Sequence, residues 1–198
     1  SEEPLFDLLA RMVPNGQRTA RELYHCRGFV AHHNTDLWGD TDPQDRYIPA
    51  SFWPMGAAWL CTHIWRHYLY SGDMQFLRAQ FPMLEQAVLF FTDFLEQDAA
   101  GYYVTNPSVS PENTYILPDG VRGHLCIGPT MDRQILRELF AGYLAAAAKL
   151  SVTNETTCAA AAILPRLRRT QIGSDGRLLE WGGEYGAAVP AHRHSSHL

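Results

Sequence analysis

The sequence predicts an all-α fold: a frame of antiparallel helix pairs carrying a loop-built site. Apolar residues recur at helical spacing along most of the chain. Between the helical stretches lie three long polar loops, at 32–54, 106–129 and from 173 to the end, rich in Asp, Asn, Pro and Gly. These loops also hold Trp, Tyr and Leu, which argues against disorder and for function.

The elements follow in order. Residues 4–13 place Leu5, Leu8, Leu9 and Met12 on one face; Asn15-Gly16 predicts a turn, and 17–24 a second short helix. A strong helix over 53–70 carries Trp59, Leu60, His63, Ile64, His67 and Tyr68 on one stripe. Gly72 ends it and Asp73 caps the next, with Phe76 standing where a capping box would need Glu or Gln. The span 83–95 puts Leu84, Ala87, Val88, Phe91, Phe94 and Leu95 at helical spacing. Thr130 is the expected cap of a helix to 149 through Ile135, Leu136, Leu139, Phe140 and Tyr143. Thr153 is the expected cap of the last helix, which Pro165 should kink or end.

Composition narrows the function. With 46% hydrophobic residues the chain can build one sizeable core. A net charge of −5, with both signs scattered, offers no basic stripe for nucleic acid. The apolar run at 88–91 is far too short to span a membrane. Cys26, Cys61, Cys126 and Cys158 form no CxxC pair and read as free thiols rather than disulfides or ligands. Asn154-Glu155-Thr156 is a glycosylation sequon.

Several chemistries fit poorly. His63 and His67 have a zinc-compatible spacing but lack the adjacent glutamate of a metalloprotease helix and sit in an apolar stripe. His192, His194 and His197 are closely spaced, yet a metal also needs convergence and a completed shell. No GxSxG elbow or Gly-rich phosphate loop is present. Asp36, Asp40, Asp42 and Asp45 do not match a calcium loop and read as loop caps.

Carbohydrate chemistry fits what remains. Sugars are held by aromatic faces and by planar polar groups that chelate hydroxyls. The loops supply both in His32-His33-Asn34-Thr35-Asp36-Leu37-Trp38, Ser110-Pro111-Glu112-Asn113, Glu180-Trp181 and His192-Arg193-His194. Glycoside cleavage needs a carboxylic acid that stays protonated near neutral pH, and apolar surroundings raise a carboxyl pKa. Glu180, between Leu178-Leu179 and Trp181, has that setting; the alternative is an ordinary loop glutamate.

The strings "GFVAHHNTDLWGDTDP", "FWPMGAAWLCTHIWRHYLYSGD", "SPENTY", "DGRLLEW" and "HRHSSHL" occur in that order along the chain. In order and spacing they resemble glycoside hydrolase family 95, inverting α-L-fucosidases acting chiefly on α-1,2-linked fucose. The resemblance implies that 1–198 is part of an (α/α)6-barrel catalytic domain, truncated at both ends, with about half of its helices. It implies Glu180 as general acid and Arg193 and His194 as a fucose-contacting wall. His32, His33, Asp36, Trp38 and Glu112 become candidate sugar contacts. Asn34 matches one of two asparagines that assist the family's general base; Asp36 stands in place of the second. Many members carry an aspartate where this chain has Glu184.

The family's general base lies beyond the HRH motif, so these residues alone are expected to be inactive, with apolar inner helix faces exposed. The partners implied are fucosylated oligosaccharides or glycoconjugates of an extracellular setting, with no cofactor, metal, nucleic acid or membrane. Competing readings are an α-L-galactosidase, another glycosidase or phosphorylase on the same barrel, a non-catalytic carbohydrate-binding protein, and a zinc-binding helical module.

Overall fold

In the computed structural model, residues 2–194 are described, and about half of the chain is α-helical. The helices are α1 (Glu3–Tyr24), α2 (Ile48–Ser51), α3 (Gly56–Ser71), α4 (Met74–Phe94), α5 (Thr130–Leu150) and α6 (Glu155–Ile163). Helices α3, α4 and α5 pack against one another, with α1 against α4 and α6 against both α4 and α5. Leu9, Phe29, Ile64, Leu84, Phe91, Leu139 and Phe140 fill the space between them. A closed barrel is not seen among the described residues.

Two helix boundaries differ from the sequence reading. The expected break at Asn15-Gly16 is absent, and α1 runs through it with Pro14 inside. Gly16 serves close approach instead: a Cβ there would lie 2.6 Å from the Val30 carbonyl, and the Gly16 carbonyl accepts from Val30 N–H. Helix α3 starts at Gly56 rather than 53, because the backbone of His32 crosses its first residue, leaving Trp53 outside the helix. Helix α4 begins at Met74, where the Asp73 cap places it, and runs through Pro82 to Phe94.

The caps were read with mixed success. Gly72 adopts the left-handed conformation that ends α3, and Asp73 accepts from the N–H groups of Gln75 and Phe76. Thr130, however, is the first helical residue rather than the cap, which frees its hydroxyl and N–H for another segment. The cap of α6 is Asn154, not Thr153, in a capping box with Thr157. The sequon asparagine also donates to Glu85. A 3-10 turn at Leu164–Arg166 ends the segment at Pro165.

The all-α expectation is incomplete. Among the described residues, seven two-residue strands lie outside the helices, from 96 to 126 and at 186–187. Strand β1 (Glu96–Gln97) pairs with β2 (Tyr103–Val104), and β3 (Ser108–Val109) pairs with β6 (Leu125–Cys126). Strand β4 (Tyr115–Ile116) lies between β5 (Arg122–Gly123) and β7 (Gly186–Ala187), all antiparallel. Strands this short carry no alternation to read. The β4–β7 pairing brings the segment after Glu180 alongside the Ser110–Asn113 turn.

Candidate active site

Glu180 sits in a segment fixed by backbone bonds rather than by a helix or strand. Leu179 N–H donates to the Gln171 carbonyl at 2.9 Å. From the first turn of α5, Thr130 donates its hydroxyl to the Leu179 carbonyl and its N–H to the Glu180 carbonyl. These are the N–H and side-chain groups that a helix start leaves without intrahelical partners.

The Glu180 carboxyl is 2% exposed. Ser110 Oγ donates to one oxygen at 2.7 Å, and Asn113 Nδ2 approaches the other at 3.5 Å, a long contact. Burial pushes the pKa of this carboxyl up; the Ser110 bond, the Arg193 charge, the His194 N–H and Asn113 oppose that shift without cancelling it.

Ser110 and Asn113 are the two ends of one tight turn, closed by Asn113 N–H on the Ser110 carbonyl. Asn113 also donates to the His192 carbonyl at 2.7 Å and to the Val189 carbonyl at 3.2 Å, tying this turn to the 189–192 turn. The middle residues, Pro111 and Glu112, face away into a cleft of about 410 Å³ lined also by His33, Trp53, Trp59, Met131, His192 and His194. A second cavity of about 300 Å³ lies on the other side, bordered by Glu180, Leu178, Trp181, Glu184 and Arg193 among others. His192 and His194 line the first and Arg193 the second.

The structure brings together only some of the residues the sequence singled out. His33 and Glu112 face each other across the cleft, Nε2 to Oε1 3.7 Å. The His194 ring lines the same cleft, with Nε2 3.2 Å from that of His192. Arg193 donates to the Leu178 carbonyl and borders the smaller cavity. His32 is withdrawn from the surface: Nδ1–H donates to the Thr41 carbonyl at 2.7 Å, and Nε2 lies 2.6 Å from the Tyr24 hydroxyl. Burial lowers its pKa, which suits a neutral ring with one donating and one accepting nitrogen. Its ring holds the loop and borders a cavity of about 210 Å³ shared with His33, Asn34 and Trp59.

Asn34 is exposed and bonded to His33. Asp36 accepts from the N–H groups of Trp38 and Asp40, and so turns its carboxylate on its own loop. Trp38 is 79% exposed, its carbonyl accepts from Asn15 of α1, and it lines neither of these two cavities. Trp181, by contrast, is buried and packs edge-on to Tyr115. Glu184 accepts from the N–H and hydroxyl of Ser174.

The histidines of α3 part company, His63 beside Thr62 and His67 against Glu2 and Phe76. Among the described residues no three His, Cys, Asp or Glu side chains form a metal-holding group, and His197 lies outside them. The four cysteines are free thiols, Cys61 buried and Cys158 exposed.

Asp132, in the first turn of α5, escaped the sequence reading. It is 0% exposed and accepts from Trp53 Nε1 at 3.0 Å and Thr105 Oγ1 at 2.6 Å. Burial raises its pKa to about 6 despite those bonds. A signal was available: Asp132 continues the apolar stripe of Ile135, Leu136 and Leu139, where a charged residue needs a reason to be.

Comparison with known proteins completes the description. The whole chain, residues 1–198, matches the model of the Glycosyl hydrolase family 95 catalytic domain. It is 40% identical over 202 residues to Alpha-L-fucosidase 2 of Arabidopsis thaliana, an alignment covering all of this chain and 24% of that protein. It is 31% identical over 207 residues to Probable alpha-fucosidase A of Aspergillus niger, covering 99% of this chain and 25% of that protein. The chain thus spans about a quarter of the length of these curated relatives.

Proposed function

The chain belongs to glycosyl hydrolase family 95, and from that premise we propose that it supplies the proton-donating side of an α-L-fucosidase active site. Glu180 is the general acid. The substrates are fucosylated glycans, with α-1,2-linked L-fucose the preferred terminus, and the reaction inverts the anomeric centre. The general base and the rest of an (α/α)6 barrel come from residues outside these 198.

The observation that supports this reading is the setting of Glu180. A glycosidic oxygen leaves readily only when protonated, so the acid must still hold its proton near neutral pH. A closed site raises the carboxyl pKa, because water no longer solvates the charged form. The neighbouring donors stabilise the carboxylate that remains after transfer. Both carboxyl oxygens already face protein donors, so a glycosidic oxygen must displace one of them; the long Asn113 contact is the weaker of the two.

Inversion then requires a water on the opposite face, with the two carboxyls about 6.5–9.5 Å apart. His33, Trp59 and Glu112 line the cleft that also holds Pro111 of the Ser110–Asn113 turn and offer an aromatic wall with polar partners to one sugar ring.

The test uses the enzyme at the full length of its relatives with 2′-fucosyllactose, released fucose being followed by proton NMR from the earliest minutes. β-Fucose should appear first, and Glu180→Gln should nearly abolish it. Early α-fucose would exclude inversion, and no fucose from a well-folded enzyme would exclude the substrate.

A further inference from the structure

The first turn of α5 touches both halves of the site. Thr130 holds the backbone of Leu179 and Glu180. Met131 lines the cleft. Asp132 accepts the indole N–H of Trp53, and Trp53 meets two rings edge-on: His33 at 6.1 Å and Trp59 at 5.9 Å between centroids. Trp53 itself is buried, whereas His33 and Trp59 are only half-buried and present the surface a ligand would meet.

We propose that Asp132 is a positioning residue that acts through Trp53: it fixes the indole against which the His33 and Trp59 wall is set, while Thr130, two residues earlier, fixes the segment bearing Glu180. One helical turn thereby sets the spacing between the sugar wall and the carboxyl.

Three features of the geometry support this role. Asp132 is reached by side chains from two distant segments, Trp53 and Thr105, so it is not an ordinary first-turn acid neutralising a helix end. Trp53 lies outside any helix, between the short α2 and the start of α3, and the Asp132 bond fixes its indole plane. Edge-on ring contacts depend on orientation, so rotating Trp53 would move both partners.

The inference rests on the sugar-cleft reading, and the experiment separates the two. In the full-length enzyme, Trp53→Phe keeps a ring of similar shape and removes the N–H. Asp132→Leu removes the acceptor, and Asp132→Asn keeps one. Trp53→Phe and Asp132→Leu should each raise KM about tenfold, the size of one buried hydrogen bond, with kcat within about threefold. Asp132→Asn should recover most of that loss. The double variant Trp53→Phe/Asp132→Leu should be no worse than the poorer single one, since both act through one contact.

Additive losses, or an unchanged KM in Trp53→Phe, would overturn the proposal; the second outcome needs no Asp132 variant to fold. The indole N–H resonance assigned by Trp53→Phe gives a readout without turnover: it should shift on adding L-fucose in the wild type and broaden in Asp132→Leu. If the enzyme releases no fucose, the assigned function fails. An indole resonance unmoved by Asp132→Leu would sink the positioning role alone.

Discussion

Two acidic regions of this molecule use the same functional group in opposite ways. In the loop after His33, Asp36, Asp40 and Asp45 accept from the backbone N–H groups that follow them, at or near the surface. Glu180 and Asp132 lie in loop and helix start yet are closed off from water, and each accepts from side chains far away in sequence. The first group shapes a loop; the second carries raised pKa values. The number of acids in a stretch says little about its chemistry. What matters is whether the partner is the acid's own backbone or a distant side chain in a dry environment.

Four substitutions break or sharpen that contrast. The largest effect belongs to Glu180→Gln, which should lower kcat about 10²–10⁴-fold in the full-length enzyme while the fold is retained, as followed by fucose release and circular dichroism. A loss within threefold would erase the distinction between the two kinds of acid.

Next comes Asp132→Asn, read as stability. The folded carboxyl keeps its proton up to about pH 6, whereas the ordinary value is 3.8. The folded state therefore binds more protons between those values, and stability falls as pH rises through that window. Asparagine mimics the neutral form, so the variant should gain on the order of 3 kcal/mol at pH 7 and nothing near pH 3, in urea melts at both pH values.

Ser110→Ala should act more gently. Ser110 donates to the Glu180 carboxylate and favours its charged form. Without it the Glu180 pKa rises further. Activity that requires the protonated acid then persists to higher pH, so the alkaline limb of the pH–rate profile moves up. A downward move would contradict the arrangement.

Smallest of all is Asp36→Ala, which loses two local acceptor contacts at the surface. It should cost about 1 kcal/mol or less and change kcat/KM within about twofold. A loss beyond tenfold would return Asp36 to the sugar site.

The frame was largely legible because helix faces repeat. Leu84, Ala87, Val88 and Phe91, read off as one stripe, are all buried. Asn15-Gly16 misled because the local turn signal was overridden by the packing of 29–30 against α1. The setting of Glu180 was half legible. Its apolar neighbours Leu178, Leu179 and Trp181 are adjacent in sequence, but Ser110 and Asn113 come from 70 and 67 positions away.

The Ser-Pro-Glu-Asn motif points to Glu112 through the family resemblance, and not to its two ends. The turn instead sends the two neutral ends to Glu180 and the charged middle to the cleft. Asp132 is legible as the polar residue interrupting an apolar face of α5, but its donors Trp53 and Thr105 lie 79 and 27 positions away.

The most direct test of Glu180 as the acid compares two leaving groups. In the full-length enzyme, wild type and Glu180→Gln would be assayed on an α-1,2-fucosylated disaccharide and on an aryl α-L-fucoside whose phenol leaves without protonation. An acid that protonates the leaving oxygen predicts a loss of about 10²-fold or more on the disaccharide and a much smaller one on the aryl fucoside. Equal losses on both would contradict the account and leave Glu180 a structural carboxyl beside a site whose proton donor lies elsewhere.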